Sequence, residues 1–349
     1  MKLKGLNWSK RNFDALNELL EGVRPGEIAV FDWDNTCAFN DIGEALLRRM
    51  TLDLAFKINA KAMAALVPDK INGVSHIMLQ GKLFSLKKMK QAIFFAYEKL
   101  KAAASPAARA CIDENYRIFT SGLLALNRAL EDTPGIGCEF AYPWVNTLLR
   151  GLSPIEFDRL ASMVIQEELQ NSIGHRSLID PLGRWRYDWT SGIRIYPEMK
   201  NLAACWQERG GEVVVSTASN KRLVEKMVDM TDFPCRQVIG MELTMAGSRF
   251  GHAINPGLRP NLGLGKVVNI RQQLAGEPAL VAGDSNNDYE MLASFPGTRM
   301  RLVIDRHKKG KITLVSHRAR VKEDGYLAQE IDPRQGKFKA TGGRKKPRR

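Results

Sequence analysis

The chain has 349 residues, 44% hydrophobic and 26% charged, with a net charge of +14. That length allows two domains with a buried core, and the balance is that of an ordinary globular chain, not a disordered or fibrous one. No apolar run reaches membrane-span length, and the start MKLKGLNWSKR lacks the apolar region of a secretory signal, so neither a span nor export is expected.

Five cysteines (Cys37, Cys111, Cys138, Cys205, Cys235) are odd in number, and no two stand at metal-ligand spacing. They read as reduced thiols in a cytoplasmic protein. The charge is uneven: residues 333–349 hold eight Lys/Arg and no Asp/Glu, leaving +6 for the remainder. Segment 331–349 is therefore expected to be a disordered, solvated basic tail, with weak nucleic-acid or anionic-surface contact as its alternative use.

In chain order, residues 12–21 form an amphipathic pattern that leads into a strand at 27–31. From about 44 to 180 the apolar spacing is helical. Ser105-Pro106 and Ser153-Pro154 read as an N-cap followed by proline at the first helical position, and Ser153 to Glu156 as a capping box. In GRWRYDWTSG, 183–192, Trp185, Tyr187 and Trp189 alternate with Arg184, Arg186 and Asp188, as on a half-buried strand. Packing is the expected role of these aromatics; a cage for a quaternary ammonium group is the alternative.

After Gly192 strands and helices alternate. A helix follows Tyr196-Pro197 and ends at Gly210-Gly211, and EVVVS, 212–216, is a strand. A helix begins near Asn220, QVIGMELTM opens a hairpin, and a helix surrounds Lys266. Then come a strand at 278–283, a helix at about 287–294 and a strand at 301–305. This pattern predicts an α/β, Rossmann-like, doubly wound parallel sheet. The helical block is too long for one crossover and is expected to be an inserted α-helical cap. The expected division is 1–44 plus 192–330 for the core, 45–191 for the cap and 331–349 for the tail.

Three apolar strand runs end in polar clusters: Asp32 to Thr36, Ser216 to Ser219, and Asp284 to Asp288. Ligands of open α/β sheets bind at the carboxyl ends of strands, so neighbouring strands would gather all three clusters in one crevice. Crowded carboxylates repel; a hard divalent cation such as Mg²⁺ relieves this. With Ser and Thr hydroxyls and Lys266, the set is one for phosphoryl transfer.

DWDNT (32–36), VVVSTAS (213–219), Lys266 in GLGKVVNI and GDSNND (283–288) stand in the order and spacing of the haloacid dehalogenase superfamily. The chain resembles its phosphatase branch over roughly 27–44 and 192–305. The helical insert after the first motif is most similar to the phosphoserine-phosphatase-like group. The resemblance implies a Mg²⁺-dependent phosphomonoesterase acting on a small phosphorylated metabolite, phosphoserine- or phosphocholine-like. It implies Asp32 as nucleophile, Asp34 as general acid and base, and Lys266 as the cation beside the nucleophile. Thr36, Ser216, Thr217 and Asn287 would hold phosphate, and Asp41 a substrate amine. Asp32, the Asp34 carbonyl and Asp284 would hold the metal, supported by Asp288. Asp34 argues against a dehalogenase. A phosphotransferase on the same fold, and a non-catalytic protein that binds through its basic tail, are the alternatives.

Overall fold

A computed structural model describes residues 2–102 and 114–339. Helix α1 (Lys10–Glu21) precedes strand β1 (Ile28–Phe31) and the short β2 (Ala38–Phe39). Then come α2 (Ile42–Leu52), α3 (Ala60–Ala65), hairpin β3 (His76–Leu79) and β4 (Lys82–Ser85), and α4 (Leu86–Ala102). Helices α5 (Glu114–Asp132), α6 (Cys138–Thr147) and α7 (Pro154–Gln170) follow, then hairpin β5 (Gly174–Ile179) and β6 (Arg186–Ser191), and β7 (Arg194–Ile195). The remainder runs α8 (Pro197–Glu208), β8 (Glu212–Asn220), α9 (Lys221–Met230), β9 (Gln237–Met241), hairpin β10 (Leu243–Ala246) and β11 (Arg249–Ile254), and α10 (Leu264–Gln273). It closes with β12 (Leu280–Gly283), α11 (Tyr289–Ala293), β13 (Met300–Asp305), α12 (Ile312–Arg320), β14 (Tyr326–Asp332) and β15 (Lys337–Phe338).

Seven strands form the main sheet in the order β15-β14-β13-β12-β1-β8-β9. All neighbours are parallel except β14 and β15. From β1 the chain winds outward through β8 and β9, then returns to the other side through β12. The switch point, where such sheets open a crevice, lies between β1 and β12.

β1 has no polar face because the sheet is covered on both sides. Ala29, Phe31, Val213 and Val215 pack with α1, α8 and α9. Ile28, Val30, Val214 and Val281 pack with α10, α11 and α12. The first of these clusters continues into α2, α4, α5 and α7. No helix among the described residues is long and apolar enough to cross a membrane.

Two differences from the sequence reading have local causes. The block at 44–180 is interrupted by hairpins: β3 and β4 meet at Gln80–Gly81, both at positive φ, the geometry of a two-residue hairpin turn. The expected disordered tail is ordered over its first part, since β14 reaches Asp332 and β15 pairs with it. Phe338 is 0% exposed. It packs against Trp8 and Tyr196, with ring centroids 5.1 and 4.5 Å away. That burial is what a solvated tail would forgo. Basic segment 340–349, its expected nucleic-acid contact, and the expected cap at Ser105-Pro106 lie outside the described residues. The capping box at Ser153 and Glu156 is formed.

Candidate active site

Asp32 leaves β1 directly into a cavity of about 600 Å³ at the carboxyl edge of the sheet. Its carboxylate is held on both oxygens. Lys266 Nζ donates to Oδ1 at 2.7 Å and Thr36 Oγ1 to Oδ2 at 2.9 Å. Lys266, in the first turn of α10, is 1% exposed. It spends its other donors on Asp288 Oδ1 at 2.6 Å and the Ser216 carbonyl at 2.7 Å. Burial pushes this lysine down, but Asp288 and Asp32 outweigh it and hold the ammonium above its ordinary range.

Asp34 is two residues on, just before Asn35, which adopts positive φ; asparagine tolerates that region better than most side chains. Asp34 Oδ1 accepts the N–H of Ile42, at the start of α2, at 2.8 Å. Its Oδ2 accepts the Ser219 hydroxyl at 2.7 Å. The close approach needs glycine at position 43, where a Cβ would stand 2.8 Å from Ser219 Oγ. Burial first, and Asp41 second, push Asp34 well above the usual carboxylate range. A rise in this direction favours the protonated carboxyl, the form that can donate a proton.

Asp284 ends β12 beside β1, and Asp288 closes the 3-10 turn Asn286–Asp288. Asp288 Oδ2 accepts the N–H groups of Asp284 and Ser285 and the Ser285 hydroxyl. Gly283 leaves room for this, since a Cβ there would meet Asp288 Cβ at 2.5 Å. One carboxylate oxygen each of Asp32, Asp284 and Asp288 lies within 4.8 Å of the others. Such an all-oxygen, buried donor set fits a hard divalent cation and has no nitrogen or sulfur ligand to favour zinc. Burial, then Asp288, raises Asp32 to about 8; that repulsion is what a cation would relieve. Asp288 is occupied by Lys266 and the turn, so support is the role its contacts leave it. Asp284 bears a contact absent from the sequence reading: Arg306 Nη1 donates to its Oδ2 at 2.7 Å.

Asp34, Asp41, Asn287, Lys266, Asp284 and Asp288 line the cavity together with Asp32. Thr36, Ser216 and Thr217 are fully buried behind it and do not line it. Ser216 Oγ accepts from Asn261, and Thr217 Oγ1 from the Ser219 N–H. The hydroxyl that β8 presents beside the carboxylates is Ser219, because the register shifts between Ser216 and Asn220.

The far wall comes from α2, α5 and β6. Asp41 caps α2 by accepting the Glu44 N–H at 2.8 Å. Burial, then Glu44, raises Asp41 to about 6. Arg128 bridges Glu44 and Glu131, and Asn127 Nδ2 donates to Glu131 at 2.6 Å. Asn127 is 5% exposed and its Oδ1 has no hydrogen-bond partner among the described residues. Of the three aromatics on 185–189 only Trp189 lines the cavity. The guanidinium of Arg48, paired with buried Glu168, lies 5.2 Å from its ring centroid. Trp185 donates to Ser121 and lies under Arg184. The aromatics pack; they do not form a cage.

The family model of haloacid dehalogenase-like hydrolases matches residues 141–293. That span holds Ser219, Lys266, Asp284 and Asp288 but not the Asp32 strand. No curated protein matches the chain. Among solved structures, a conserved functionally unknown protein from Anaerococcus prevotii DSM 20548 is similar at TM-score 0.85 and 24% identity, with 97% of each chain covered. A phosphoserine phosphohydrolase-like protein from Francisella tularensis subsp. tularensis SCHU S4 aligns at TM-score 0.42 and 10% identity, over 87% of this chain and 94% of that one. The match over 141–293 and the doubly wound sheet agree with the motif order read from the sequence, and over that span the chain is similar to haloacid dehalogenase-like hydrolases.

Proposed function

We propose that the protein is a Mg²⁺-dependent phosphomonoesterase acting through an aspartyl-phosphate. One observation carries the reading: Asp32 and Asp34 share a cavity and are held by different partners, a cation on the first and, among the described residues, none on the second. On Asp32 the Lys266 ammonium offsets part of the rise that burial and Asp288 impose, and a bound cation would favour its charged, nucleophilic form. Asp34 is buried beside Asp41 and favours its protonated form.

In the first step an Asp32 oxygen bonds to phosphorus as the bond from phosphorus to the ester oxygen breaks, and Asp34 gives its proton to that oxygen. In the second, Asp34 takes a proton from water, whose oxygen attacks phosphorus and frees Asp32 and inorganic phosphate. Lys266 holds Asp32 in place and offsets charge on the transferring group. Mg²⁺, when bound by Asp32, the Asp34 carbonyl and Asp284, supplies charge neutralisation for the phosphoryl oxygens. Ser219 and Asn287 are the polar groups that face the phosphate.

Segment 45–191 acts as the cap over the core, which extends through β15. Its wall of Asp41, Glu44 and Glu131, with the open Asn127 Oδ1, suits a small phosphomonoester whose alcohol bears an amine. The free thiols of Cys37, Cys138, Cys205 and Cys235 suit a cytoplasmic protein.

Phosphate release over a panel of small phosphomonoesters, with Mg²⁺ and with EDTA, tests the reading. Release should require the metal and disappear in Asp32→Asn. Undiminished release in EDTA would sink it.

A further inference from the structure

Asp284 is the carboxylate with the least support from its own chain. Its backbone N–H is fixed by Asp288, but that leaves its side chain free to turn. Among the described residues, the one hydrogen-bond partner of that side chain is Arg306. Arg306 is the first residue past β13, which pairs in parallel with β12 through Gly283 and Val303. The sheet register thus sets the guanidinium beside the carboxylate. Arg306 takes Oδ2, and one oxygen of the same carboxylate lies within 4.8 Å of oxygens of Asp32 and Asp288.

We propose that Arg306 is a positioning residue for the cation site: by holding Oδ2 it fixes the rotation of the Asp284 carboxylate beside Asp32 and Asp288. The terminal torsion of aspartate is broad, so a carboxylate without this anchor is free to rotate. Repulsion from Asp32 and Asp288 would drive it outward, toward the cavity. Loss of an outer partner of a ligating carboxylate typically costs ~10–100-fold in metal affinity. Charge bookkeeping alone gives the opposite sign, because removing a cation should draw Mg²⁺ in more tightly. Geometry wins here because the guanidinium is already neutralised by Asp284, and its side chain, 26% exposed, is screened by solvent. The inference rests on the cation reading of the site.

The test is Mn²⁺ titrated into the metal-free full chain, with the free ion followed by electron paramagnetic resonance. Arg306→Gln should weaken binding by about tenfold or more. Arg306→Lys keeps the charge but loses the planar fork and should fall between. Lys308→Gln is the charge control: Lys308 lines the same cavity without a bond to Asp284, and its loss should leave binding unchanged or tighter. Saturating Mg²⁺ should raise the melting temperature of Arg306→Gln less than that of the wild type. If Arg306→Gln binds Mn²⁺ as well as the wild type, or better, the positioning role is overturned while the cation site stands. Should Arg306→Gln not fold, Arg306→Lys decides by the same comparison. A wild type that binds no Mn²⁺ overturns both readings.

Discussion

Asp32 and Asp34 stand two positions apart in a five-residue run, yet their surroundings differ. Lys266 and Thr36 hold Asp32; the start of α2 and Ser219 hold Asp34. If Asp34 protonates the leaving alcohol, its loss should matter most where that alcohol is a poor leaving group. Asp34→Asn is expected to cut kcat on alkyl phosphomonoesters by ~10²–10⁴-fold, the usual worth of a general acid. The loss should be much smaller in the burst of p-nitrophenol from p-nitrophenyl phosphate, whose leaving group needs no proton. Equal losses on both would remove Asp34 from the acid role. The acidic residues and Lys266 were legible because each ends an apolar strand or opens a helix beside one. Ser219 was not, since VVVSTASN gives no sign of where the register slips. Arg306 was missed because the reading ended at the last strand's final residue, although a neighbouring strand's end was the place to look.

Helix α5 carries the groups that face the core carboxylates, and their titration should be visible in stability. Burial first, and Glu44 second, raise Glu131 to about 8 from an ordinary value of 4.5, against the pull of Arg128. Its folded pKa is above its unfolded one. Between pH 4.5 and 8 the folded chain therefore holds a proton that the unfolded chain has released. Stability from this group falls as pH rises through that window, by up to about 1.4 kcal/mol per pH unit, and is flat outside it. Glu131→Gln keeps an acceptor for Asn127 and removes the titration. In urea unfolding the variant should gain on the wild type steadily from pH 5 to pH 8. Parallel curves would mean that Glu131 is ionised throughout. At this scale helix periodicity was easy to read, whereas hairpin β3–β4 was hidden because its turn is Gln-Gly, without an asparagine or aspartate to announce it.

Across the whole molecule the doubly wound sheet followed from alternating strands and helices, but its last two strands did not. β14 reads YLAQEID, and its buried Gln329 accepts from the Ser9 N–H and the Asn12 amide of the opposite terminus. No periodicity reveals a polar residue satisfied at such a distance. β15 is two residues long and is held by Phe338, lodged between Trp8 and Tyr196. Truncating a buried phenylalanine to alanine costs ~3–5 kcal/mol through lost burial and the cavity left behind. Phe338→Ala should therefore lower the urea midpoint with an unchanged slope, whereas a solvated tail would show no shift. The loss should also be global. The apolar cluster that Phe338 joins runs without a break through α1 and α8 into α2, α4, α5 and α7. Tryptophan fluorescence reports both regions, with Trp8, Trp33 and Trp206 around the sheet and Trp144, Trp185 and Trp189 in the inserted segment. One shared cluster predicts that fluorescence and far-ultraviolet circular dichroism trace a single coincident transition in the wild type and in Phe338→Ala. Two separated transitions would show that the inserted segment keeps a core of its own, and the apolar continuity would then not carry cooperativity between that segment and the sheet.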